Sequence, residues 1–402
     1  MKILLYFADM FRSDLFLKEP EDSELKQLLG ALGGTFYSEC YTPGPDTPRG
    51  MACLLSGLLP KKNGVTLRSI WPDLAYKTEH TSLLRVIYDD NFDVGVLPSS
   101  PGRLSLFPPD CHGKLHVLRD QSEAKNFVNS DASAGTVLFV DDVTYHNIVD
   151  RAADFSNPHE IASGMVARNL QTTIEGLEFD HIFFFSDHGC KLPGERTDIL
   201  SLLNENRTKI LMFHHEKKNI GRFEISDKFC ASLDLYPTVL SELGIQFSGA
   251  EIDGVSLKEA TSGRKIPVED YSDITAVGPV PDLFAIFSAE ESRLAYRGTE
   301  YLFKRQGDPT SLISKIPVST ETAHYLNETS SWFAERRVYW DDETRVDVYR
   351  AMNRVAHPRL FESLLMWFRG TSLYSARRRK KGFSLGKASG GVSSVASFDP
   401  KE

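Results

Sequence analysis

Three short apolar runs, far apart in the chain, each end on acid. They are KILLYFAD (Lys2 to Asp9), TVLFVDD (Thr136 to Asp142) and HIFFFSDHG (His181 to Gly189). One strand ending in Asp is explained by capping of the next helix. Three such ends on one sheet converge on a single crevice, and His188 stands directly behind Asp187. Carboxylates crowded with a histidine repel or lose solvation unless a cation holds them. A divalent metal site where Asp9, Asp141–Asp142, Asp187 and His188 converge is therefore expected. Carboxylate, hydroxyl and imidazole ligands do not select sharply, so Mn, Zn and Mg all qualify. A second local pattern is TPRGMACLLSG, from Thr47 to Gly57. The Thr47 hydroxyl suits an N-cap, Pro48 the first helical position and Gly57 the helix end, with Pro60 just beyond.

These residues need a scaffold. The lengths and β-branched or aromatic content of the three runs suit buried strands of a parallel sheet. Helical patterns lie between them, as in TSLLRVIYDDN and EIASGMVARNLQTTIEGL. The alternation predicts a doubly wound, mostly parallel α/β sheet flanked by helices, whose binding crevice lies at the carboxyl ends of its strands. That domain spans about residues 1–260. From 261 to 330 the pattern predicts a smaller antiparallel subdomain, then a helical extension over 331–376. A basic, Gly/Ser-rich tail over 377–402 reads as disordered.

Composition bounds the function. The 402 residues are 41% hydrophobic and 25% charged, ordinary for a globular chain, and the formal net charge of −9 gives no electrostatic case for nucleic acid. Five scattered cysteines without a CxxC pair argue for a reducing compartment and against zinc-thiolate chemistry. The apolar run after Lys2 is too short for a secretory core, and no segment approaches a membrane span. A cytoplasmic location is expected.

Taken together, the motifs resemble the alkaline phosphatase superfamily, in its sulfatase-like branch. Thr47, Gly57, Pro60 and Gly64 fall on the spacing of that branch's nucleophile helix, and SDHG (Ser186 to Gly189) looks like its second metal-ligand strand. TSLLRVIYDDNFDVGV (Thr81 to Val96) is similar to the helix and strand that follow the nucleophile. SLDLYPTVLSELGIQFSGAEIDGVSL (Ser232 to Leu257) is similar to the branch's later "PT…dG-SL" stretch. The resemblance covers roughly residues 1–310. It implies an alkaline phosphatase-like fold with a small C-terminal α+β part, and Thr47 as nucleophile and metal ligand. Sulfatases need Cys or Ser there for conversion to formylglycine, and they begin with paired acids where this chain has Ala8 and Asp9. Their lysine–histidine pair is not recognisable in LPSSPGRLS. One acid, one Thr and then Asp-His resembles instead the phosphoethanolamine and glycerol-phosphate transferases and related phosphodiesterases.

The expected activity is metal-dependent phosphoester hydrolysis or phospho-group transfer. Sulfate-ester hydrolysis is the alternative within this family, and a non-catalytic binding module the alternative outside it. Arg49 reads equally as a phosphate clamp or as an exposed helix residue. In two-metal members an Asp and a His spaced like Asp142 and His146 hold a second cation, while in sulfatases a comparable His contacts substrate. A third ligand for a second metal would come from His324, His214 or His215. The apolar residues of 360–368 and the five cations Arg377 to Lys381 read either as a packed helix with a solvated end or as a peripheral membrane contact. The substrate would then be a glycan- or lipid-linked phosphoester.

Overall fold

Strict alternation builds the centre of the protein. In β1 (Lys2–Ala8), Ile3, Leu5 and Phe7 enter one core while Leu4, Tyr6 and Ala8 enter a second. Strands β5 (Thr136–Asp142) and β6 (His181–Phe185) flank β1 in parallel and divide their residues in the same way. A sheet buried on both faces is what the continuous apolar runs require. The computed structural model describes residues 1–65, 72–76, 81–130, 134–195, 205–246, 252–270, 283–296, 299–304 and 312–317. The helical extension over 331–376, the tail over 377–402 and His324 lie outside them.

The main sheet has eight strands in the order β4-β3-β5-β1-β6-β7-β2-β8. The remaining members are β2 (Gly34–Tyr41), β3 (Asp93–Leu97), β4 (His116–Val117), β7 (Met212–Glu216) and β8 (Phe223–Ala231). Only β7 among the described strands of this sheet runs against its neighbours, β6 and β2. The helices Thr47–Ser56, Leu83–Asp89 and Leu235–Leu243 cover the first core, and Glu24–Leu32, Gln121–Val128, Thr144–Val149 and Pro158–Ile174 cover the second. The expected doubly wound architecture is present.

Two features seat the helix Thr47–Ser56. Gly57 closes it in the left-handed region at φ 67°, its N–H bonding Cys53 O at 2.9 Å. The loop of residues 252–257 then clips onto this end: the N–H groups of Asp253 and Gly254 both donate to Gly57 O, and Leu59 N donates to Asp253 Oδ2. The IDG of the sequence is thus a brace for the helix.

A second sheet holds β9 (Ile266–Asp270), β10 (Leu283–Phe287), β11 (Glu291–Tyr296), β12 (Thr299–Lys304) and β13 (Leu312–Pro317), antiparallel throughout. Its Ile266, Val268, Ala285 and Phe287 pack on Tyr41, Cys53 and Phe229 of the first unit of sheet and helix. The Tyr41 and Phe287 rings stack 5.3 Å apart.

Candidate active site

Side chains two apart on a strand share a face. Continuing Phe7, Phe139 and Phe185 by two residues gives Asp9, Asp141 and Asp187, all on the face covered by the helix Thr47–Ser56. Gly50 lets that helix press close: a Cβ there would lie 2.8 Å from Asp187 O. Met10, at φ 63°, turns the chain sharply after β1, and its N–H donates to Asp187 Oδ1 at 3.2 Å. A left-handed non-glycine residue costs about 1–2 kcal/mol, a strain that persists where the surroundings over-determine it.

The Thr47 hydroxyl lies 3.3 Å from Asp9 Oδ1 and 3.2 Å from His188 Nε2. His188 Nδ1 is 2.6 Å from Gly189 O, which only accepts, so the ring proton sits on Nδ1 and Nε2 carries a lone pair. One hydroxyl proton therefore faces two acceptors. Asp187 Oδ1 accepts from the N–H groups of Met10 and His188, while its Oδ2 is buried with no hydrogen-bond partner among the described residues. Ligand atoms of Asp9, Asp187 and His188 lie within 4.8 Å of one another. Acceptors outnumber donors in a buried pocket, which is the chemistry of a cation site.

Electrostatics agree. Burial alone would raise Asp9, but the hydrogen bond from His146 and the charges of Arg103 and His146 outweigh it and hold its carboxyl low. At Asp187 burial wins, with the charge of Asp9 adding to it, and the carboxyl is pushed up. A divalent ion fits the three residues and would be held by Asp9, Asp187 and His188, with Thr47 Oγ1 beside it.

Several sequence expectations need correction. Asp46, not Thr47, is the N-cap: its Oδ1 accepts from Arg49 N at 3.2 Å, leaving the Thr47 hydroxyl to face the cluster. Arg49 is not an exposed helix residue: it is fully buried and its guanidinium is paired with Asp46. Asp142 does not face the cluster. Falling on the even-numbered face of β5, it accepts from Tyr6 OH at 2.6 Å, Thr144 N at 2.8 Å and Asn169 Nδ2 at 3.2 Å. His146 is brought in, its Nδ1 3.0 Å from Asp9 Oδ2 and its Nε2 3.2 Å from Asp150 Oδ2. His214 and His215 lie on β7, away from the crevice.

The sequence reading missed Arg103, and of the acidic strand end Asp141–Asp142 it took Asp142 as the ligand. Arg103 Nη1 sits 2.9 Å from Asp9 Oδ2 and its Nη2 2.8 Å from Asp141 Oδ1, with the guanidinium 5.8 Å from the centre of the Phe7 ring. Ser99 also donates to Asp141 through its N–H and hydroxyl. Strand parity alone selects Asp141 over Asp142. Arg103 carried a weaker signal, one cation in the segment after β3. The Asp46–Arg49 pair yields a direct stability test. Burial raises the Asp46 carboxyl but the Arg49 charge outweighs it, so the pair is favourable above the lowered pKa and is lost as pH falls through it. Asp46→Ala removes the buried carboxylate paired with the Arg49 guanidinium and the cap of the helix, and is expected to cost about 3 kcal/mol in urea unfolding; a loss below about 1 kcal/mol contradicts this.

No protein-family model and no curated protein sequence matches the chain. Solved structures match its fold. A 2-O GAG sulfatase, BT1596, superposes with a TM-score of 0.61 at 13% identity, covering 86% of this chain and 93% of its own. An alkaline phosphatase superfamily protein from Vibrio parahaemolyticus gives 0.58 at 9% identity, with 83% and 88% covered. The phosphonate monoester hydrolase of Agrobacterium radiobacter gives 0.54 at 12% identity, with 84% and 95% covered. The chain shares the alkaline phosphatase-like fold of these solved structures.

Proposed function

We propose that the protein is a metal-dependent hydrolase or phospho-group transferase that attacks a phosphoester with the Thr47 hydroxyl. The observation that carries this reading is the placement of Thr47 Oγ1 between Asp9 Oδ1 and His188 Nε2. Asp9, Asp187 and His188 would hold a divalent cation, which would supply Lewis acidity and charge neutralisation beside the Thr47 hydroxyl. The rest of the chemistry belongs to the chain. With His188 Nε2 taken up by the ion, Asp9 Oδ1, which keeps a second lone pair, is the group placed to take the hydroxyl proton. The positive end of the dipole of the helix Thr47–Ser56 favours negative charge there. Attack at phosphorus forms the Thr47 Oγ–P bond and expels the leaving alcohol, and water or an acceptor hydroxyl then releases the phosphoryl group. His146, 31% exposed, stands where it can meet a substrate oxygen or the leaving group.

Arg103 is the group best placed to neutralise equatorial phosphoryl charge, since it reaches Asp9 and is held by Asp141. Arg103→Ala is expected to lower kcat/KM by about 10²–10³-fold, the range for removing one preorganised donor, with Arg103→Lys recovering part. A change below about threefold would contradict the assignment.

Aryl phosphodiesters, phosphomonoesters, phosphonates and sulfates, assayed with varied cations, test the reaction class. Turnover of phosphoesters above sulfates is expected, because Thr47 offers no route to an aldehyde nucleophile. Turnover of sulfate esters alone overturns the reading in favour of a sulfatase. Support for a glycan- or lipid-linked substrate comes from the basic run Arg377 to Lys381. Sedimentation with anionic vesicles at low salt, lost on deleting residues 377–402, is the expected result; equal sedimentation of the truncated chain counts against it. Among the described residues no helix is long and apolar enough to cross a membrane.

A further inference from the structure

At the amino end of β6, six residues and roughly 20 Å of strand from Asp187, a second group of metal-ligating side chains comes together. His181 opens β6, and its strand neighbour across the sheet is Glu216 of β7. His214, two residues earlier on β7, lies on the same face. The helix Leu235–Leu243 packs over that face and brings Glu242. Ligand atoms of His214, Glu216 and Glu242 lie within 4.8 Å of one another. His181 Nδ1 is 3.2 Å from His214 Nε2 and 3.8 Å from Glu242 Oε2.

We propose that His214, Glu216 and Glu242, with His181 beside them, form a second cation site for a borderline transition-metal ion such as Zn2+. Mixed imidazole and carboxylate donors suit that class of ion. Two nitrogens bound at about 2.0–2.1 Å in a tetrahedron stand about 3.3 Å apart, close to the separation observed. The His214 ring is fixed before any ion arrives, stacked on Phe183 with centroids 4.2 Å apart and planes 8° from parallel. Lysines now balance the two carboxylates: Lys258 reaches Glu216 and Glu242, and Lys218 reaches Glu216. Both lysine side chains are at least 48% exposed, so either ammonium can swing into solvent when an ion takes its place. Such an ion would tie the helix Leu235–Leu243 to β6 and β7 and would act as a structural clamp, separate from the crevice at the other end of the sheet.

Stoichiometry separates the two sites. The full chain, stripped by chelator and dialysed against buffered Zn2+, is expected to hold two ions. Asp187→Asn is expected to keep one of them, whose X-ray absorption spectrum shows imidazole ligands. His214→Gln and Glu242→Gln are each expected to lose one ion while retaining the wild-type circular dichroism spectrum and catalytic activity. Lys258→Ala, which removes the competing ammonium, should tighten the remaining site in the Asp187→Asn background by about tenfold or more. Zn2+ content in His214→Gln and Glu242→Gln equal to wild type would overturn the proposal. So would an ion in Asp187→Asn without histidine ligation. Failure of the Thr47 chemistry leaves this site untouched, since its readouts are binding and ligation.

Discussion

Thr47→Ala is expected to lose several orders of magnitude in kcat, as removal of an essential nucleophile does, while binding metal nearly as well as wild type. The structure sharpens this expectation. Because Asp46 caps the helix and Thr47 is its first residue, truncating Thr47 leaves the cap bond to Arg49 N in place. Loss of a side-chain cap costs about 1 kcal/mol at most positions, and here even that is spared, so unfolding does not explain inactivity. Thr47→Ser keeps a hydroxyl near Asp9 and His188 and should retain a measurable rate. Retention of more than about a tenth of kcat in Thr47→Ala contradicts nucleophilic attack by this residue. The assay is steady-state turnover of an aryl phosphoester, with metal content determined on the same samples.

Asp187→Asn carries the second large effect. The carboxylate has one oxygen engaged by two backbone N–H groups and one buried with no hydrogen-bond partner among the described residues. The amide keeps the size and the acceptor but removes the charge. Affinity for the ion beside Thr47 should fall by more than the 10–100-fold typical of residues that only support ligands. Chelation should abolish turnover of the wild type, and added Mn2+, Zn2+ or Mg2+ should restore it. Catalysis by chelated protein that elemental analysis shows to be metal-free counts against the site. Equal metal affinity in Asp187→Asn and wild type does so as well.

The central sheet was legible in the sequence because its strands are continuous apolar runs, and continuous runs mark strands buried on both faces. Asp9, Thr47, Asp187 and His188 were legible for a related reason: each stands where such a run ends or where a capped helix begins. What the sequence hid was orientation. Asp141 and Asp142 are adjacent and chemically identical, and only the in-out alternation inherited from Phe139 turns Asp141 toward Arg103 and Asp142 toward Tyr6. The four-residue spacing from Asp142 to His146 suggested a pair, yet the two serve opposite faces. The exposed reading of Arg49 fails because a helix with every residue buried leaves no surface for a cation, and Asp46 supplies a partner inside. His214 and His215 were attractive as ligands by type alone; the antiparallel course of β7 carries them to the far end of the sheet, a reversal that no local pattern announces.

The central claim is that Thr47 forms a covalent bond to phosphorus, and trapping that species tests it most directly. With a phosphoester whose first alcohol leaves quickly, rapid acid quench followed by peptide mass spectrometry should show one phosphoryl group on the peptide that contains Thr47. It should appear together with a burst of released alcohol equal to the enzyme present. A burst accompanied by phosphorylation at another residue, or rapid turnover of that substrate by Thr47→Ala, would contradict the account.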